Sequence, residues 1–285
     1  MFRSLIFVPG NSTRFVEKAK TLQADIICLD LEDSVPANEK GAARKIISDA
    51  ISRRQEYGRP VYVRTNSPES GLVAADLKAA VRRGIDGIVI PKVNDAQEIV
   101  RIKKQVVALE KRNKTGKIAL MPSIETAKGV VNAHQIAGAD DRINALVFGV
   151  FDFLYDMRLD YDESDPAGYA YARAKVPVDA RAAGISAIDA IWQKIDDSEG
   201  LVRDATIAKH FGYSGKSIIH PSQIEPVHRV FLPSNSEVEW AKKVVAALGE
   251  AMEKGSGRGA VRLEGRMIDA VHYKQAKAIL GATDK

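Results

Sequence analysis

Carboxylates and an arginine recur at one kind of position in this sequence, the place where a short apolar run stops. Glu125 closes the run 117–124 (KIALMPSI), and Asp152 follows Phe151 at the end of 144–150 (NALVFGV). Glu32 and Asp33, with Asp30 just before them, close 24–31 (ADIICLDL), and Arg64 ends 60–65 (PVYVRT). If 117–124 and 144–150 are neighbouring strands, their ends lie ~5 Å apart, and Glu125 and Asp152 can share one cation. Hard oxygen donors without a cysteine or histidine cluster select Mg²⁺, with Mn²⁺ a possible substitute, rather than zinc. Mg²⁺ keeps several waters, which Glu32 and Asp33 suit as outer hydrogen-bond acceptors. Arg64 across the same mouth suits bidentate binding of a carboxylate. Together these groups fit a 2-oxo or 2-hydroxy acid, with the arginine stabilising charge on the oxygen beside the carboxylate. The plainer account of Glu125 is a first-turn acid favoured by a helix dipole; the recurrence of the pattern argues for chemistry.

Other residues carry weaker signals. Arg14 and Lys18 are four apart, on one face of a helix that opens after Pro9, Gly10, Asn11 and Ser12. A capped helix start with two cations suits a phosphate, and equally an ordinary cap with solvated bases. Lys92 ends the run 85–91 and suits an ion pair with a neighbouring strand's acid better than a Schiff base. His220 ends 215–221, where a hydrogen-bonded structural histidine competes with a ligand contact. Asp269 precedes the last helix and is either its cap or a chemical group.

Eight apolar runs, 3–8, 24–31, 60–65, 85–91, 117–124, 144–150, 184–189 and 215–221, alternate with helical patterns. That alternation predicts right-handed β-α-β units and a closed (β/α)₈ TIM barrel. A doubly wound sheet would normally show a G-x-G-x-x-G turn, which is absent. Residues 155–170, rich in Asp, Tyr and Gly, are expected as a long loop over the site. Past Pro233 the character changes, giving a barrel over 1–233 and a helical arm over 234–285. The arm should hold one helix over 237–253, a GSGRG joint, an extended stretch 260–268 and a final helix. An arm on such a glycine hinge is not expected to bury its own apolar side chains and should lie on the barrel or a neighbouring subunit.

The 285 residues carry 42 Lys and Arg against 37 Asp and Glu, a net +5. Without a nucleic-acid motif or a basic-aromatic stripe, that excess fits a solvated surface or a polyphosphate ligand better than nucleic acid. The one cysteine, Cys28, lies in an apolar run and excludes an intramolecular disulfide. With no apolar run of the ~20 residues a membrane span needs, a cytoplasmic protein is expected.

The ordered set RSLIFVPGN, DIICLDLEDSV, VYVRTN, GIVIPK, SIETAKG, LVFGVFD, GKSIIHPSQI and GRMIDAVHYKQA resembles the citrate lyase β-subunit-like branch of the HpcH/HpaI aldolase/citrate lyase superfamily. The resemblance covers nearly the whole chain. It implies a barrel, assembled as a homotrimer or dimer of trimers, that binds Mg²⁺ through Glu125 and Asp152 and substrate through Arg64 and Glu125. It implies coenzyme A contacts at Arg14 and Lys18, with Phe7, Ile219 and His220 beside them, and an Asp269 that reaches a neighbour's active site. The implied reaction is reversible retro-Claisen cleavage of a malyl-, methylmalyl- or citramalyl-CoA to an acyl-CoA and glyoxylate or pyruvate. Asp269 would protonate the enolate carbon or, in reverse, deprotonate it. The competing expectations are a citrate lyase subunit acting on an acyl-carrier-protein thioester and a non-catalytic acyl-CoA-binding barrel.

Overall fold

Ile26–Asp30, Gly87–Ile90 and Ala145–Phe148 are each buried along their whole length. Strands wet on neither face belong in a parallel sheet covered by helices. The computed structural model, which describes residues 2–163, 165–253 and 260–283, builds that sheet. Its first half runs β1 (Ser4–Pro9), α1 (Thr13–Ala19), β2 (Ile26–Asp30), α2 (Lys40–Ser52), β3 (Val61–Arg64), α3 (Val73–Ala80), β4 (Gly87–Ile90) and α4 (Ala96–Asn113). It continues with β5 (Ala119–Ile124), the short helices α5 (Ala127–Val131) and α6 (Ala133–Ala137), β6 (Ala145–Phe148), α7 (Val150–Met157) and α8 (Ala167–Ala182). β7 (Ser186–Asp189), α9 (Ser198–Phe211), β8 (Gly215–Ile218) and α10 (Ile224–Phe231) complete it. The eight strands pair in chain order, all parallel, and β1 closes the ring by pairing with both β2 and β8.

Leu5, Ile26, Cys28, Tyr62, Val89, Met121, Val147 and Ile188 form one buried cluster of the barrel. Tyr62 fits because Gly87, one strand over, has no side chain: a Cβ there would lie 2.1 Å from the Tyr62 ring. The Tyr62 hydroxyl accepts a hydrogen bond from Asn144 Nδ2 at 2.8 Å. Between strands and helices sits an ion cluster. Lys216 on β8, fully buried, bonds Asp189 at 2.7 Å and also Asp204 of α9. Arg173 of α8 grips the same Asp189 at 3.0 and 2.7 Å. Asp189, which ends β7 as Asp30 ends β2, is thus consumed by structure.

Several boundaries differ from the sequence expectation. The loop expected over 155–170 is shorter than that: Val150, Phe153 and Leu154 give α7 a buried face that carries it through Met157, and α8 begins at Ala167, leaving the connection between the two helices. The helix after Glu125 divides at Asn132, with Thr126 capping its first piece through Gly129 N.

The chain divides into two compact units, Met1–His228 and Arg229–Lys285, where the sequence placed the boundary at 233. The second holds α11 (Asn235–Glu253), an antiparallel hairpin of β9 (Ala260–Leu263) and β10 (Arg266–Asp269), and α12 (Ala270–Thr283). The expectation that this arm cannot bury its own apolar groups is corrected. Ala241, Val244, Leu248, Ile268 and Ala276 form a core of its own. The hairpin makes this possible: Glu264 and Gly265 both take positive φ, the geometry of a tight two-residue turn, and fold the extended stretch into a sheet. The GSGRG joint lies outside the described residues. Among the described residues no helix is long and apolar enough to cross a membrane.

Candidate active site

At the carboxyl end of the barrel, strand register places Asp30 of β2 opposite Arg64 of β3. Arg64 Nε donates to Asp30 Oδ1 at 2.7 Å and Nη2 to Oδ2 at 2.8 Å. Asp30 also accepts from the Glu32 N–H and from the Ser34 N–H and hydroxyl. Burial alone would push this carboxyl up; Arg64 and the donated hydrogen bonds outweigh it and hold Asp30 below the usual carboxylate range. The Phe7 ring lies against Arg64, its centroid 4.4 Å from Cζ. One edge of the guanidinium is therefore held by Asp30 while Phe7 packs against the group, and Nη1 turns to Glu32 Oε2 at 3.1 Å.

Glu125 stands just past β5 and is buried. Its carboxylate accepts from the Lys92 N–H at 3.0 Å. The space it occupies exists because residue 149 is glycine: a Cβ at Gly149 would meet Glu125 Cγ at 2.5 Å and Oε1 at 2.8 Å. Asp152 is not at a strand end, as the sequence suggested. β6 stops at Phe148 and Asp152 projects from the first turn of α7, where the helix dipole favours an acid. Lys92 Nζ reaches Glu32 Oε1 at 2.7 Å and Asp152 Oδ1 at 3.1 Å, so the ion pair expected of Lys92 is present.

Charge at this mouth is unbalanced. Asp30, Glu32, Asp33, Glu125 and Asp152 face Arg64 and Lys92, while Lys40 donates to the backbone carbonyls of Leu31 and Glu32. Burial, and then the charges of Glu32 and Asp152, push Glu125 up to about 8. Burial and the Asp33 charge push Glu32 up to about 7 against the pull of Arg64 and Lys92. Glu32 Oε2 is buried and makes no hydrogen bond of good geometry. Such a surplus of crowded carboxylate oxygen is the chemistry a divalent cation would neutralise. Among the described residues no three His, Cys, Asp or Glu side chains form a ready cage. Two protein carboxylates with water completing the shell is the usual arrangement for Mg²⁺, and Glu125 with Asp152 fits it.

Beside these groups opens a cavity of about 430 Å³, lined by Phe7, Asp33, Arg64, Glu125, Asp152 and Ile219 of the expected site residues. Asp30, Gly149, Phe151, Ile191 and Ser217 line it too. The Ser217 hydroxyl is buried without a hydrogen-bond partner. Arg14 and Lys18 are exposed on α1 and do not line this cavity, and the Arg14 guanidinium lies 4.9 Å from the Phe15 ring. His220 is exposed and caps the turn Pro221–Gln223, its Nδ1 accepting from Ser222 N. Asp269 belongs to the other compact unit, where its carboxylate accepts from Val271 N at 3.0 Å and contacts His272 Nδ1 at 2.7 Å. The hydrogen bonds from His272 hold it below the usual carboxylate range. Sequence reasoning gave no role to Asp30, Ser217 or Gly149. Asp30 had a signal, since it ends a run beside the run ended by Arg64; a glycine needed to seat a distant glutamate has none.

The family model for HpcH/HpaI aldolase/citrate lyase matches residues 3–221. The chain is 35% identical to citrate lyase subunit beta of Leuconostoc mesenteroides subsp. cremoris over 98% of its own length and 92% of that protein's. It is 32% identical to the mitochondrial citramalyl-CoA lyase of Rattus norvegicus, over 98% of this chain and 85% of that one. Among solved structures, CitE of Mycobacterium tuberculosis in complex with magnesium, acetoacetate and coenzyme A superposes with a TM-score of 0.81 at 28% identity, covering 100% and 98% of the two chains. The chain belongs to the HpcH/HpaI aldolase/citrate lyase family and is a carbon–carbon lyase of that family.

Proposed function

We propose that the protein is a Mg²⁺-dependent lyase that reversibly cleaves a β-hydroxyacyl-CoA of the malyl, methylmalyl or citramalyl type to an acyl-CoA and a 2-oxo acid, glyoxylate or pyruvate. The observation that carries this reading is the meeting of Glu125, Asp152 and Arg64 at one cavity of about 430 Å³. Magnesium and coenzyme A together in the CitE complex support it, as does the rat citramalyl-CoA lyase. Glu125 and Asp152 would hold the metal, which when bound supplies Lewis-acid polarisation of the oxygen beside the carboxylate.

The chain's own groups do the rest. Arg64, fixed by Asp30 and Phe7, presents Nη1 as a donor where negative charge gathers on the reacting oxygen. In cleavage the substrate hydroxyl loses its proton, the carbon–carbon bond breaks, and its electron pair passes to the thioester as an enolate. The enolate carbon then takes a proton. Asp269 of a neighbouring subunit in a homotrimer fits this exchange. Held as a carboxylate by His272, it suits removal of the acyl-CoA proton in the condensing direction. Arg14 and Lys18, exposed together on α1, would meet the coenzyme A phosphates, with His220 and Ile219 near the thioester end. Phe7, which lines the cavity with its ring against Arg64, would meet the coenzyme A thioester beside Ile219.

A second reading is favoured by the 35% identity to citrate lyase subunit beta: the same cleavage on an acyl-carrier-protein thioester. The purified chain should be given a panel of β-hydroxyacyl-CoA thioesters with Mg²⁺ and with chelator, and the released 2-oxo acid measured. Metal-dependent release from a free CoA thioester is expected. Release only from a carrier-protein thioester would establish the second reading, and no release from either would refute both.

A further inference from the structure

Lys92 is one of the non-glycine residues in the left-handed backbone region, at φ 52°. That conformation is disfavoured for L side chains and persists where the surroundings demand it. Here it does two things at once. The N–H turns to Glu125 at 3.0 Å, and the side chain crosses the barrel mouth to Glu32 at 2.7 Å and Asp152 at 3.1 Å, with Asp33 at 3.7 Å. One residue thus ties acids from β2's end, β5's end and α7. A solvated surface lysine would not need a strained backbone to reach three carboxylates.

Resting on the reading of Glu125 and Asp152 as metal ligands, we infer that Lys92 is the internal counter-ion of this acid cluster. Its ammonium holds Asp152 while no divalent ion is bound and releases it when one binds. Its backbone N–H keeps Glu125 seated in both states. The physical basis is competition: the ammonium and a divalent cation call on the same Asp152 carboxylate, and two positive charges at that separation repel. Lys92 therefore sets how tightly the metal is held, as a positioning residue rather than one that touches the reacting atoms.

The test uses Mn²⁺ as the probe on the full chain, titrated by calorimetry and by the electron-spin resonance of free Mn²⁺. Lys92→Met, which keeps length and removes charge, is expected to tighten Mn²⁺ binding about tenfold, or about 1.4 kcal/mol. Lys92→Arg is expected to bind no more tightly than wild type. A folded Lys92→Met protein with unchanged or weaker affinity would overturn the inference. If that variant does not fold, wild-type protein labelled with ¹⁵N-lysine serves, its Lys92 ammonium signal assigned by loss in Lys92→Arg. That signal should be protected from solvent exchange without metal and lose its protection with saturating Mg²⁺; a signal that Mg²⁺ leaves unchanged would overturn the inference. Failure of the wild type to bind Mn²⁺ at all would instead strike the lyase reading itself.

Discussion

Asp30 and Arg64 face each other in register across β2 and β3, joined by two parallel hydrogen bonds of 2.7 and 2.8 Å. The pair fixes the guanidinium plane and leaves Nη1 toward the acid cluster, so the donor we propose for substrate is oriented before substrate arrives. That arrangement is expensive to break, because removing one partner strands a buried charge.

Asp30→Asn should therefore lower stability by about 3 kcal/mol in urea unfolding and depress kcat/KM by about a hundredfold through misplacement of Arg64. Arg64→Lys should be at least as damaging to turnover, since a point charge cannot keep both bonds to Asp30. Near-normal kcat/KM in Asp30→Asn would show that Arg64 needs no such brace.

Gly149→Ala tests whether the seat of Glu125 matters. The added methyl would sit 2.5 Å from Glu125 Cγ, so either Glu125 or the start of α7 must move. Divalent-metal affinity should fall at least about tenfold, roughly 1.4 kcal/mol, with the circular dichroism of the barrel retained. Unaltered Mn²⁺ affinity would mean that Glu125 tolerates displacement.

The Lys216 cluster makes a contrasting prediction. Lys216, Arg173, Asp189 and Asp204 lie between strands and helices and do not line the cavity beside Glu125 and Arg64. Lys216→Met should cost about 3–5 kcal/mol of stability, because Asp189 and Asp204 lose a buried partner. The kinetic constants of the remaining folded protein should be those of wild type. A large kcat defect at unchanged stability would reverse this assignment.

Acidity at the mouth gives a sign for pH. Glu125 and Glu32 stay protonated in the metal-free folded chain up to about 8 and about 7, whereas in an unfolded chain they ionise near ~4.3. Between those limits the folded state binds more protons than the unfolded one. Their contribution to stability is therefore full below ~4.3 and lost as pH rises through about 7 to 8. With chelator present, Glu125→Gln should show a smaller fall in Tm between pH 5 and 8.5 than wild type does, and saturating Mg²⁺ should also offset the wild-type loss. A Glu125→Gln protein whose Tm falls as steeply as the wild type's would exclude this origin.

Much of this was legible in the sequence, for a physical reason. Strands buried on both faces leave unbroken apolar runs such as IICLD and ALVF, and helices between them leave a different period, so eight β-α units can be counted before any coordinates. Residues that end such runs face the barrel mouth, which is why Arg64 and Glu125 could be singled out. Asp189 shows the limit: the same position in the pattern, but directed into an ion pair with Lys216 by neighbours far along the chain. α7 was hidden because Asp and Tyr dominate its solvent side while only Val150, Phe153 and Leu154 mark the buried one. The core of the second unit depends on a two-residue turn at Glu264 and Gly265, and a turn's conformation decides what composition alone leaves open.

The most direct measurement is Mn²⁺ binding to the wild-type chain, Glu125→Gln and Asp152→Asn, read beside metal-dependent release of 2-oxo acid from a β-hydroxyacyl-CoA. One Mn²⁺ per wild-type chain, with binding and release both lost in each variant while the barrel stays folded, is the predicted result. Variants that still bind the metal and still release 2-oxo acid as wild type does would contradict a shared ion between Glu125 and Asp152.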